Sequence, residues 1–135
     1  MTAAAALTRA PCIIRLGKPD DLAFVVDSWV KHGHRGERTR NATSHVRGLL
    51  ARPETALYVA HVIGEPDAIL GWAVIEAGRP ACVHYVYIRS GARRLGVAAA
   101  LLSGVAGHAI EYSVAPPPSV SVPARWVLNT SRTTR

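Results

Sequence analysis

The stretch Tyr87-Ile88-Arg89-Ser90-Gly91-Ala92-Arg93-Arg94-Leu95-Gly96-Val97-Ala98 decides how the chain is read. It passes from β-branched and aromatic residues, through a basic loop containing glycine, into small and apolar residues that suit a helix. A helix opening after such a loop leaves its first backbone N–H groups without intrahelical partners, and with the helix dipole they favour an anion. Gly96 allows close backbone approach, and Ala98 is small where a longer side chain would obstruct. Arg93 and Arg94 add positive charge, and Arg89 is within reach of the same place.

Upstream, three runs at residues 56–63, 68–77 and 81–88 are rich in β-branched and aromatic residues. Gly64-Glu65-Pro66-Asp67 and Gly78-Arg79-Pro80 separate them as turns, and connectors this short favour an antiparallel meander. Alternation in the third run puts Cys82, His84, Val86 and Ile88 on one face and Val83, Tyr85 and Tyr87 on the other. Both faces are apolar enough for a central strand.

Nearer the N-terminus, residues 12–16 read as a first strand ended by Gly17. Lys18-Pro19-Asp20-Asp21 announces a helix, since proline suits the first turn and acidic residues complement the dipole. Leu22, Val25, Val26, Trp29 and Val30 follow at helical spacing, and His32-Gly33-His34-Arg35-Gly36 ends that helix in a loop. A weaker helix is expected over 43–51, with Val46, Leu49 and Leu50 inward. Downstream of the basic loop, a helix is expected over 97–110. The remainder is proline-rich, with short strands expected at 119–122 and 126–128. Residues 1–10 read as a disordered tail, 11–112 as the core, and 113–135 as an abbreviated segment of the same domain.

With 135 residues, about half of them apolar, the chain is expected to form one globular domain. Sixteen basic against nine acidic residues leave a net charge of +7, a bias toward anionic partners. Cys12 and Cys82 read as reduced core thiols. The N-terminal stretch has no basic region before its short apolar run, so it does not read as a secretory signal. The apolar-leaning stretch 95–110 is interrupted too often to span a membrane. A soluble, cytoplasmic protein is expected.

The order strand, helix, helix, three-strand meander, basic loop, helix, with Ile88 ending a strand and Arg93-Arg94-Leu95-Gly96-Val97-Ala98 following, resembles the GNAT (Gcn5-related N-acetyltransferase) superfamily. Its signature is a strand end followed by [R/Q]-x-x-G-x-[G/A], and the Pro19-Asp20-Asp21 helix start resembles the family's first helix. The resemblance covers residues 13–110. It implies a mixed α/β (α+β) fold with a mostly antiparallel central sheet flanked by helices. It also implies an acyl-CoA site, with the pyrophosphate at Arg93, Arg94, Leu95, Gly96, Val97 and Ala98, and Arg89 near the outer phosphates. The strand ending at Ile88 would splay from its neighbour, leaving backbone groups of Tyr87 and Ile88 to pair with the pantetheine arm. The activity implied is direct acyl transfer, from acetyl-CoA to a primary amine, with no covalent enzyme intermediate. Past residue 110 the pattern departs from the family. The ending Pro123-Ala124-Arg125-Trp126-Val127 resembles short GNAT-like proteins of phages and prophages, and either this half is abbreviated or a second copy completes the sheet as a homodimer.

Candidate catalytic residues are His84, Tyr85 and Tyr112. His84 lies on the central strand where many family members hold a base or a water, and an ordinary imidazole titrates near neutrality; its alternative is a hydrogen-bonded core histidine. Tyr85 and Tyr87 would line the acceptor pocket or donate a proton, or else simply pack. Tyr112 would stand in for the family's missing general acid, or cap the preceding helix. His32, His34 and His45 have no carboxylate or cysteine at ligand spacing, so no metal is expected. Lys31 to Arg40 holds four Lys or Arg and one Glu, which suits an acidic or polyanionic acceptor or a solvated loop. Two alternatives stand beside the acetyltransferase: a nucleic-acid-directed GNAT acting on aminoacyl-tRNA or DNA bases, and a non-catalytic CoA-binding module.

Overall fold

A computed structural model describes residues 12–33, 39–78, 80–93, 95–103, 110–113 and 127–128. Six strands form one sheet in chain order: β1 (Cys12–Leu16), β2 (Thr55–Val62), β3 (Glu65–Glu76), β4 (Ala81–Ile88), β5 (Ile110–Tyr112) and β6 (Val127–Leu128). The pairs β1–β2, β2–β3 and β3–β4 are antiparallel, whereas β4–β5 and β5–β6 are parallel. Helices α1 (Leu22–Gly33), α2 (Thr39–Leu50) and α3 (Val97–Leu102) complete the architecture. This is the mixed, mostly antiparallel sheet flanked by helices that the sequence implied.

A short 3-10 turn at Pro19–Asp21 leads into α1. The Asp21 carboxylate accepts from the Lys18 backbone N–H at 2.7 Å and takes a two-pronged ion pair from Arg15 at 2.7 and 3.0 Å. Arg15 also donates to the carbonyl of Pro66 at 3.1 Å, so one guanidinium ties β1 to the helix start and to β3. The hydrogen bond from Arg15 is the main reason the Asp21 carboxyl sits below its ordinary range; burial opposes it.

Alternation along the strands divides the core into two layers. On one face Val59, Trp72, Val74 and Tyr85 pack with Val25, Val26 and Trp29 of α1 and Val46 and Leu49 of α2. On the other, Ala60, Ala73, Ile75, Val83, Val86 and Ile88 pack with Ala92 and with Val97, Leu101 and Leu102 of α3. Trp72 is fully buried, and its indole N–H donates to the Ser28 hydroxyl at 2.9 Å, which joins the central strand to α1.

The structure departs from the sequence reading in four places. Simple alternation grouped Val83 with Tyr85 and Tyr87, but Val83 lies in the layer of Val86 and Ile88. The cause is a bulge: Val74 pairs with Tyr85 and Ile75 with Val83, so the register skips His84 and parity reverses there. The expected turn at residues 64–67 is shorter, because β3 already starts at Glu65 and pairs with Val62. Pro66 is tolerated because the β2–β3 register is irregular beside it. The helix expected to reach residue 110 is described as far as Leu102, and Ile110, Glu111 and Tyr112 are strand residues paired with Ala81, Cys82 and Val83. Tyr112 is therefore within β5 rather than capping a helix; sheet pairing with β4 overrides the local helical pattern. Finally, the second helix starts earlier than expected, at Thr39.

Val127–Leu128, within the strand expected at 126–128, pairs with Glu111 and Tyr112. The expected tail at 1–10, the strand at 119–122 and most of the segment 113–135 lie outside the described residues. No helix among the described residues is long and apolar enough to cross a membrane.

Candidate cofactor cleft

The strand that leads to the basic loop is held tightly on one side. Gly71 of β3 stands opposite Ile88, and a Cβ there would come within 2.5 Å of the Tyr87 carbonyl oxygen and 2.8 Å of Ile88 Cδ1. Only glycine lets β3 and β4 approach so closely. The Arg89 N–H donates to the Leu70 carbonyl at 2.8 Å, which extends this hold one residue past the strand.

On its other side, among the described residues, β4 pairs with β5. The parallel ladder with β5 runs from Ala81 to Val83, and the Ser113 N–H donates to the Val83 carbonyl at 3.1 Å just beyond it. Among the described residues, Val86, Tyr87 and Ile88 have register partners on β3 alone. The splay implied for the strand ending at Ile88 involves residues after Ser113, which lie outside the described residues.

The loop makes a 3-10 turn at Ser90–Ala92 and seats Ala92 in the core at 2% exposure. Arg93 turns back, its Nε–H donating to the Ile88 carbonyl at 3.3 Å, while Arg93, Leu95 and Gly96 remain exposed. Gly96 has φ +80° and ψ 14°, a left-handed conformation that disfavours any residue with a Cβ. It stands at the start of α3, where its carbonyl accepts from the Ala100 N–H at 3.0 Å. Val97, Leu101 and Leu102 anchor α3 in the core, and Ala98 is partly buried against it. Arg94 lies outside the described residues. Arg89 is exposed, its guanidinium within 3.5 Å of the Ile69 carbonyl.

The three candidate catalytic residues do not come together. Tyr85 is 4% exposed in the α1–α2 layer, stacked on Trp29 with ring centroids 5.9 Å apart and near Trp72 at 5.8 Å. Tyr87 lies in the same layer but is only half-buried, against His32 at 5.1 Å, Trp72 at 6.0 Å and Phe24 at 6.0 Å. Tyr112 is half-buried against the opposite layer, that of α3. His84 is fully buried between the strands. Its Nε2 lies 2.7 Å from Glu76 Oε1 and its Nδ1 2.8 Å from the Ser113 hydroxyl. Arg52 donates to the same Glu76 oxygen at 2.9 Å. Burial pushes the Glu76 carboxyl up, yet the hydrogen bonds and charges of His84 and Arg52 outweigh it and hold the group below its ordinary range.

Arg52, Glu76 and Ser113 escaped sequence reading. A carboxylate at the end of the apolar run 68–77 was the one available signal, because a charge there needs a buried partner. Nothing local points to Arg52 or Ser113. Of the basic segment at 31–40, Lys31 is exposed and His32 half-buried, while His34, Arg35, Glu37 and Arg38 lie outside the described residues.

No family model matches the sequence, and no curated protein matches it. Solved structures match it in fold. An acetyltransferase from Vibrio fischeri is 22% identical, with 74% of this chain and 93% of that one covered, at a TM-score of 0.54. The aminoglycoside antibiotic 6′-N-acetyltransferase of Acinetobacter baumannii is 11% identical over 77% of this chain and 80% of its own, at a TM-score of 0.59. A transcriptional regulator from Bacillus halodurans is 19% identical over 77% and 82%, at a TM-score of 0.56. These likenesses show that the chain shares the fold of these solved structures, acetyltransferases among them.

Proposed function

We propose that the chain is an N-acyltransferase that moves an acyl group, acetyl in the first instance, from acyl-CoA to a primary amine by direct transfer. The observation that carries this reading is the exposed loop that leaves β4 at Ile88 and enters α3 through Gly96 in its left-handed conformation. In this reading Val86, Tyr87 and Ile88 offer backbone groups to the cofactor's arm, and the start of α3 receives its phosphates. A phosphorylated cofactor with an extended amide-bearing arm needs both features, and the neighbouring structures include acetyltransferases.

Each part has a role that follows from its chemistry. Gly96 to Ala98 receive the pyrophosphate on backbone N–H groups, where a side chain would intrude. Arg93 and Arg94 add charge to this cradle, and Arg89 reaches the outer phosphates. Leu95 and Val97 contribute backbone, and Val97 also roots the helix in the core. Tyr87 and Ile88 bond the pantetheine arm through their main chain as a strand would. A bound acyl-CoA supplies a thioester, whose carbonyl the amine attacks as the thiolate leaves. The chain's contribution is to orient the two reactants and to stabilise the developing oxyanion with backbone N–H groups near the bulge. Tyr87, half-buried near the end of β4, lines the acceptor side. Tyr85 and Tyr112 are less suited to proton transfer, being packed in opposite layers. His84 has no exposed surface and both ring nitrogens bonded, so it is read as a positioning residue rather than the base that deprotonates the amine.

Calorimetric titration with acetyl-CoA, CoA and dephospho-CoA tests the reading. The parent chain should bind the first two, and Arg93→Glu and Gly96→Glu should each weaken binding about tenfold or more, the equivalent of about 1.4 kcal/mol. Thiol release from acetyl-CoA should then rise when a primary amine is added. Absence of binding by the parent, or binding unchanged from the parent in both variants, refutes the cofactor assignment. Binding without amine-dependent thiol release favours a non-catalytic module.

A further inference from the structure

We propose that Ser28 is a positioning residue for the acceptor side: through the Trp72 indole it sets where the Tyr87 ring stands. Its consequence for the reaction rests on the reading above, in which Tyr87 lines that side. Phe24, Ser28 and His32 follow one another at four-residue intervals along α1, so they share one face of the helix. That face meets a cross-strand pair, since Trp72 of β3 stands opposite Tyr87 of β4. The Tyr87 ring is met edge-on by Phe24 at 6.0 Å, and stacks with His32 at 5.1 Å and Trp72 at 6.0 Å. Between Phe24 and His32, the Ser28 hydroxyl accepts the indole N–H of Trp72 at 2.9 Å.

Polarity fixes the direction of this contact. A serine hydroxyl has one hydrogen to give, and Ser28 gives it back to its own helix. The Phe24 carbonyl lies at 2.7 Å and that of Val25 at 3.2 Å. The lone pairs are then left for the indole, which can only donate. Trp72 is fully buried and Ser28 nearly so, and bulk water does not compete for either group. Without the hydroxyl the indole N–H becomes an unsatisfied buried donor, and the ring shifts to relieve it. Close packing decides which way. Trp72 also touches Trp29 at 5.4 Å and Tyr85 at 5.8 Å, and both are buried. Tyr87 is only half-buried, so it is the neighbour with room to yield. Its main chain is held separately, by register with β3 and by the close approach of Gly71 to its carbonyl. Loss of the Ser28 hydroxyl therefore moves the Tyr87 side chain and leaves the backbone of the strand in place.

The test uses the whole chain with CoA, with 2-phenylethylamine as acceptor probe in an acetyl-CoA assay, and with NMR of ring-labelled tyrosine. Ser28→Ala should raise the KM of the amine about fivefold and leave the Kd for CoA within about twofold. In the unliganded variant the Tyr87 ring resonances should move, whereas those of Tyr58 and Tyr112, packed in the α3 layer, should not. Trp72→Phe removes the N–H, so adding Ser28→Ala to it should change neither KM nor the Tyr87 signal further. Should Ser28→Ala fail to fold, Ser28→Cys, whose sulfur is a weaker acceptor, carries the same measurements. A lower urea midpoint with KM and the Tyr87 signal unchanged means a structural role alone and overturns the proposal. Equal weakening of amine and CoA in a folded variant overturns it as well. If the parent shows no amine-dependent thiol release, the acyltransfer reading fails on its own account, and the Tyr87 signal alone decides whether Ser28 positions the ring.

Discussion

Replacing Glu76 by alanine should be among the most destabilising single changes in this chain. It removes the one oxygen that receives both Arg52 at 2.9 Å and His84 at 2.7 Å. The Arg52 side chain is 16% exposed and can turn toward water, which tempers its cost, whereas His84 is fully buried and loses the acceptor for its Nε2–H. An unsatisfied buried donor costs about 1–3 kcal/mol, and breaking a buried ion pair about 3–5 kcal/mol, so about 2–4 kcal/mol is expected for this partly relieved case. That is a large share of the ~5–15 kcal/mol of a whole domain. Urea unfolding followed by fluorescence of the buried Trp29 and Trp72 should show a midpoint lower by about 1–2 M, with the slope unchanged. A loss under about 0.5 kcal/mol would refute the reasoning. Glu76→Gln adds a pH arm. Because the folded carboxyl titrates below its ordinary value of 4.5, its stabilisation is complete above that value and fades as pH falls through the lower folded one. The gap between the parent and Glu76→Gln should therefore be level between about pH 7 and pH 5 and shrink below the ordinary value. A gap unchanged at about pH 3 would sink the carboxylate explanation.

Two further substitutions probe the frame around the cleft. Gly71→Ala would force a Cβ to within 2.5 Å of the Tyr87 carbonyl, so β3 and β4 must separate at a cost of about 1–3 kcal/mol; equal urea midpoints for the two proteins would contradict the close approach. Asp21→Asn should cost about 1–3 kcal/mol near neutral pH, since it removes the charge that Arg15 grips with two hydrogen bonds. The Asp21 carboxyl is held below its ordinary 3.8, so this advantage is complete above that value and disappears as pH falls through the lower folded one. Thermal melts of parent and variant should converge in acid, and parallel curves throughout would count against the ion pair.

Much of the loop around Gly96 was legible before folding was considered. The switch from strand residues to a basic loop with Gly96 and then to small apolar residues is a local signal, because φ freedom and helix-start chemistry act within a few residues. The structure has Gly96 in the left-handed conformation and Arg93 turned back on Ile88, in keeping with that signal. The candidate catalytic trio was a weaker inference. Residue type alone singled out His84, Tyr85 and Tyr112, yet the first is enclosed between strands, and the other two face opposite layers.

Sequence by itself determined the order of elements as far as the start of α3, and the basic loop, since each depends on periodicity, turn chemistry or charge close along the chain. Only tertiary structure decided that residues 110–112 are a strand, that one extra residue at His84 reverses the facing of Val83, and that Arg52, Glu76 and Ser113 converge on that histidine. The physical reason is that hydrogen-bond pairing between strands joins residues far apart in sequence. Which backbone groups find partners is settled by neighbours that no local window contains.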